Sequence, residues 1–134
     1  MFTIAVCDDD MQERMQEVQI VKNIFSQKEL EAGIEEFQTG QHFLDVLHRV
    51  PYDIVLLDIQ MGEVSGFTLA EELYKITGGE NIIFVSSMEN LVFESIHFRP
   101  FRFVRKSHLE EELTEAVESW IQQNSRMECL EFDE

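Results

Sequence analysis

Residues 53–61 read Asp53-Ile54-Val55-Leu56-Leu57-Asp58-Ile59-Gln60-Met61. The four apolar residues at the centre are too few for a helix, and their unbroken run fits a strand buried on both faces, as in a parallel sheet. An acid directly follows the run, so Asp58 is expected at the strand's carboxyl end. Two further runs share this form: Ile4-Ala5-Val6-Cys7, which leads into Asp8, Asp9 and Asp10, and Ile82-Ile83-Phe84-Val85, which leads into Ser86 and Ser87. Weaker strands are expected at Ile34 to Phe37 and at Phe101 to Arg105, the latter followed by Lys106.

Stretches of helical period separate these runs. Met11, Met15, Val18, Val21 and Phe25 form an expected apolar stripe with Glu13, Glu17 and Lys22 outside it, and Met11 and Met15 read as core packing. Leu109, Leu113, Ala116, Val117, Trp120 and Ile121 form another, covered by Glu110, Glu111, Glu112, Glu115 and Glu118. Three shorter helices are outlined by Phe43, Leu44 and Leu47, by Phe67, Ala70, Leu73 and Tyr74, and by Met88, Leu91, Val92, Ser95 and Ile96. Strand and helix repeated five times predict one doubly wound α/β domain with a parallel sheet between helical layers. Residues 125–134 are expected to be a linker or the start of a further unit.

The 134 residues carry 10 Lys and Arg against 27 Asp and Glu, a formal charge of −17. A domain this acidic repels phosphate backbones and anionic bilayers, which argues against direct binding to nucleic acid or membrane. Cys7 and Cys129 have no disulfide-framework or zinc spacing, and no 18-residue apolar run is present. A cytoplasmic location is expected. The four histidines are scattered without ligand-like spacing.

In open α/β sheets ligands bind beyond the carboxyl ends of the strands. Carboxylates, a hydroxyl and an ammonium are thus expected on one rim: Asp8, Asp9, Asp10 and Asp58, then Ser86 and Ser87, then Lys106. Each alone is more simply a helix cap or a surface charge, but their joint placement favours a site. Crowded carboxylates favour a hard divalent cation such as Mg2+ or Mn2+. An ammonium beside them suits a phosphoryl group carried on a carboxylate nucleophile.

These residues carry a resemblance. IAVCDDD, DIVLLDIQM, IIFVSS and FRFVRK, in this order, resemble the receiver domain of two-component response regulators over roughly residues 2–124. The resemblance implies a flavodoxin-like fold with strand order 2-1-3-4-5 and five helices, and a receiver domain at residues 1–124. It also implies phosphorylation of Asp58 by a sensor histidine kinase with Mg2+. Asp8, Asp9, Asp58 and the backbone carbonyl of Gln60 match the metal ligands. Ser86, Ser87 and Lys106 match the phosphoryl-binding groups, and Ser86 with Phe103 matches the switch pair. Such a domain is a phosphoacceptor that at most catalyses its own phosphorylation and dephosphorylation.

FRPFRFVRKSHLEEEL is most similar to receivers that control LytTR-type DNA-binding domains, so DNA would be reached only through an output domain outside this chain. The receiver resemblance further implies a homodimer through helix 4, strand 5 and helix 5, with Arg99, Arg102, Arg105 and Lys106 nearby; alternating arginines also blunt an edge strand.

Three departures from the family pattern stand out. Gly62 replaces a proline after Met61, which predicts a more mobile loop. Ser107 replaces the cis-proline after Lys106, which leaves the geometry of the Lys106–Ser107 bond open. Ser107 to Glu110 has the form of a capping box and predicts a helix start there. Two rival readings are a magnesium-dependent phosphatase with an aspartyl nucleophile and an interaction module that never takes phosphate. The first is disfavoured by Gln60, where such enzymes place a second Asp.

Overall fold

Each apolar run forms a strand of one parallel sheet: β1 (Phe2–Cys7), β2 (Ala32–Phe37), β3 (Ile54–Asp58), β4 (Ile82–Ser86) and β5 (Arg102–Arg105). The computed structural model describes the backbone of residues 1–132 and the side chains of residues 1–124. Strand order is β2-β1-β3-β4-β5, as expected. Parallel registers such as Val6↔Leu56 and Asp58↔Val85 bring the ends of β1, β3 and β4 to one edge.

Alternation along the strands divides the core into two layers. Ile4, Val6, Ile54, Leu56, Ile83 and Val85 face α1 (Met11–Gln27) and α5 (Leu109–Phe132). Ala5, Cys7, Val55, Leu57, Ile82 and Phe84 face the opposite layer, which contains α2 (Gly40–Val46) and α3 (Gly66–Thr77). The fourth helix is only one turn, α4 (Val92–Ser95), held between 3₁₀ turns at Glu89–Leu91 and Ile96–Phe98. The expected linker at residues 125–134 lies outside the residues whose side chains are described.

Helix α1 bears out the expected apolar stripe at Val18, Val21 and Phe25 and corrects it at Met11 and Met15. Its buried residues are Glu17, Val18, Ile20, Val21, Ile24 and Phe25, whereas Met11 and Met15 are 61% and 60% exposed. The buried face is rotated toward Ile20 and Ile24, which leaves the two methionines outside the core.

Local devices set the helix starts. Asp10 caps α1 by accepting from the Glu13 amide at 2.9 Å, and Ser65 caps α3 through Thr68. The capping box expected at Ser107 does not form as read. Ser107 Oγ lies 2.8 Å from His108 Nδ1 within a 3₁₀ turn, Lys106–His108, and α5 begins at Leu109. Glu112 instead reaches back to accept from the Arg105 amide at 2.9 Å. Every described peptide bond is trans, Lys106–Ser107 included.

Two glycines shape the loop after β3. Gly62 has φ +71°, a backbone that proline's ring forbids, which accounts physically for the departure there. Gly66 packs so tightly that a Cβ would stand 2.4 Å from the carbonyl oxygen of Asp58. The start of α3 is thereby seated directly on the end of β3.

Candidate functional site

The end of β3 supplies Asp58, which is 4% exposed. Its Oδ1 accepts from the Gln60 amide at 3.2 Å and its Oδ2 from Lys106 Nζ at 3.1 Å. The end of β1 supplies Asp8, which is fully buried; its Oδ1 accepts from the Asp10 amide at 2.9 Å. Asp8 Oδ2 lies 3.1 Å from Lys106 Nζ yet is not aligned for a hydrogen bond with any group. Lys106 also donates to Glu13, from the first turn of α1. One ammonium therefore faces three carboxylates, drawn from β1, β3 and α1.

The charges perturb one another. Burial pushes the Asp58 carboxyl up to about 7, with the Asp8 charge adding to the rise and Lys106 opposing it. Burial would also raise Asp8, but the neighbouring Glu17 acid, the Asp10 amide and Lys106 hold it below its ordinary value. Lys106 is depressed by burial and raised more strongly by Glu13, Asp58 and Asp8, so it stays charged throughout the physiological range.

Beneath the pocket lies Glu17, fully buried with both side-chain oxygens unpartnered by any ordinary donor. Burial, followed by the neighbouring Asp8, pushes it up to about 10, so it is a neutral acid near pH 7. A proton on Glu17 removes the cost of burying a second charge beside the Asp8 carboxylate. Neither Glu13 nor Glu17 was expected at the site. The signal lay in their spacing, since Glu13, Glu17, Val21 and Ile24 form one row along α1. The row runs from the pocket rim to the core.

Asp9 and Asp10 follow Asp8 on the way into α1. Both are exposed, and Asp10 is engaged as the α1 cap. Ser86, at the end of β4, is fully buried and its Oγ accepts from the Met88 amide at 3.0 Å, whereas the adjacent Ser87 is exposed. Gln60 is exposed beside Asp58. Phe103 on β5 is half-buried, its ring 6.5 Å from that of Phe84. Arg14 donates to the Asp8 carbonyl at 2.9 Å and pairs with Glu36 at 3.0 Å, bracing the turn after β1.

The donors fit a divalent cation. One carboxylate oxygen each from Asp8, Glu13 and Asp58 lie within 4.8 Å of one another; Asp8 and Asp58 are the buried members, with Asp8 Oδ2 free of any hydrogen bond, and Glu13 is the partly exposed one. Such hard oxygens suit Mg2+ or Mn2+. Among the described residues no helix is long and apolar enough to cross a membrane.

Comparison with known proteins agrees with this architecture. Sensory transduction protein LytR of Staphylococcus epidermidis is 24% identical over 91 residues, spanning 66% of this chain and 36% of LytR. The chain thus spans about a third of the length of that curated relative. Among solved structures, TrrA of Thermotoga maritima, determined in complex with Mg2+ and beryllofluoride, aligns with a TM-score of 0.73 and 24% identity, covering 90% of this chain and 99% of that one. Full-length FixJ of B. japonicum aligns with a TM-score of 0.74 and 23% identity, covering 91% of this chain and 58% of that one. At these identities the structures establish the shared fold. The family model for the response regulator receiver domain matches residues 4–118, nearly the whole parallel sheet and its surrounding helices, and the chain belongs to that family.

Proposed function

We propose that this domain is a phosphorylation switch in which Asp58 accepts a phosphoryl group from a sensor histidine kinase. The observation that carries this reading is the buried Asp58 carboxylate, held by the Gln60 amide and by Lys106 beside a second buried acid. In the transfer an Asp58 oxygen bonds to phosphorus as the phosphorus–nitrogen bond of the donor phosphohistidine breaks, and the imidazole leaves with the electron pair. Lys106 orients the carboxylate and neutralises charge that accumulates on the phosphoryl oxygens. Mg2+ or Mn2+ held by Asp8 and Asp58, with Asp9 and the Gln60 carbonyl as further ligands, would supply the remaining positive charge. Ser86 and Ser87 offer hydroxyls to the phosphoryl group, and movement of Ser86 with Phe103 would reset the surface formed by α4, β5 and α5.

That surface is the proposed homodimer face, and the proposed location is the cytoplasm. Similarity of part of LytR to this chain supports control of a LytTR-type output domain, the only route by which this acidic domain would reach DNA. The chain acts as a phosphoacceptor, with no turnover beyond its own phosphorylation and dephosphorylation. Incubation with acetyl phosphate and Mg2+ should give a hydroxylamine-sensitive label on the wild type and none on Asp58→Asn. Equal labelling of the mutant would overturn the assignment.

A further inference from the structure

The oxygens that form the candidate cation site are the same oxygens that hold Lys106. Its Nζ is 3.1 Å from Asp8 Oδ2, 3.1 Å from Asp58 Oδ2, and in contact with Glu13 Oε2. An ammonium and a dication cannot both keep these places. Mg2+ takes one or two protein carboxylates and holds its ligands at about 2.1 Å, which leaves no room for a second cation on the same oxygens. Something must retain the lysine when the metal enters.

Exposure gives the direction of that displacement. Side-chain exposure is 0% for Asp8 and 6% for Asp58, but 42% for Glu13, whose carboxylate therefore lies at the solvent side of the ammonium. Glu13 is fixed at its base, because its amide donates to Asp10 at 2.9 Å. The adjacent cation does not compete for it: Arg14 is committed to Glu36 and to the Asp8 carbonyl. The flexible four-carbon stem of a lysine permits a short outward swing at little cost.

We propose that Glu13 is a positioning residue for Lys106, retaining the ammonium at the rim when a divalent cation takes the oxygens of Asp8 and Asp58. Glu13 thereby makes the pocket easier to load, although it is not itself a ligand. This inference rests on the phosphorylation-switch reading of the pocket.

Mn2+ binding to the metal-free chain, followed by the electron paramagnetic resonance of the free ion, tests it. Glu13→Gln should weaken binding by about threefold to tenfold, because a lysine without its alternative partner competes harder for the inner acids. Glu13→Asp should restore most of the affinity. In a Lys106→Met background the loss caused by Glu13→Gln should shrink, so that the ratio of the two losses is about threefold or more. A ratio near one would make Glu13 a direct ligand and overturn the proposal, as would unchanged affinity in the single mutant. Wild-type chain that binds no Mn2+ would overturn the pocket reading as well, whereas a binding wild type with an unaffected Glu13→Gln defeats this inference alone. Should Lys106→Met fail to fold, acetylation of the Lys106 amine with Mg2+ bound replaces that arm. The amine should be more reactive in Glu13→Gln than in wild type, and equal reactivity would overturn the proposal.

Discussion

Two groups of ion pairs lie near β5, one beyond its carboxyl end and one along this edge strand, and their environments differ. At the pocket, Lys106 is 12% exposed and serves three carboxylates, two of them buried. On the outer side, Arg102 pairs with Glu115 at 3.2 Å, and Arg105 pairs with Glu89 and Glu112, in positions open to water. The first group has carboxylates in excess and a fully buried oxygen without a hydrogen bond. The second, with two arginines against three glutamates, is nearer to balance and solvated. A buried excess of charge carries a cost that a ligand can relieve, while a solvated pair has little to release. The contrast explains why only one of these groups looks built for chemistry.

The contrast can be broken most decisively at Lys106. Lys106→Met leaves the pocket acids without their shared ammonium and should destabilise the metal-free domain by about 2–4 kcal/mol. Millimolar Mg2+ should recover part of that loss. Urea denaturation with and without Mg2+ measures both effects, and an unaltered midpoint would place the pocket in the same class as the surface pairs.

Glu17 sharpens the comparison by pH. Its folded-state value, raised from 4.5 to about 10, means that the folded chain keeps a proton that the unfolded chain has released. Stability linked to Glu17 is therefore full below about pH 4.5 and falls as pH rises toward 10. Asp58, raised to about 7, adds a fall of the same sign between its ordinary value and neutrality. Glu17→Leu should flatten the profile and stabilise the metal-free domain at pH 8 by about 1–3 kcal/mol. Thermal unfolding of wild type and mutant across pH 5–9 checks the sign; parallel profiles would refute it.

Gly66 offers a purely steric counterpart. A methyl group there meets the Asp58 carbonyl at 2.4 Å and the Ile59 Cα at 2.7 Å, both backbone atoms that must shift. Gly66→Ala should cost about 1–3 kcal/mol and slow labelling by acetyl phosphate. The smallest effect is expected on the outer side of β5. Arg102→Gln breaks a pair whose side chains are 40% and 57% exposed, so after allowance for solvent screening the change should stay below about 0.5 kcal/mol and vanish in high salt.

The difference between these regions also explains what could be read from the amino-acid order. Strand ends announce themselves, because an apolar run that stops at Asp8, Asp58 or Ser86 leaves little freedom in where the polar residue lies. Lys106 follows from β5 in the same way. Helix α1 was less legible. Its apolar residues allow two neighbouring stripes, one through Met11 and Met15 and one through Ile20 and Ile24, and periodicity alone does not choose between them. Starting the stripe at Met11 and Met15 put Glu13 and Glu17 in solvent, although Val18, Val21 and Phe25 are buried as read. Only packing against β1 and α5 reveals that Glu17 lies in the core and that Glu13 reaches Lys106. The single-turn α4 and the altered start of α5 were obscured similarly, since short segments take their form from tertiary contacts more than from propensity.

The chain's one tryptophan, Trp120, packs edge-on to Phe2 at 5.7 Å in the layer between α1 and α5. On the other side of the sheet Phe67, Phe84, Phe98 and Phe103 form a connected set of rings with no indole among them. Intrinsic fluorescence therefore reports melting of one layer and is nearly blind to rearrangement in the other. A Phe98→Trp chain, with Trp120 replaced by Phe, would move the optical probe to the layer that holds Phe103 and allow its response to beryllofluoride to be followed in real time.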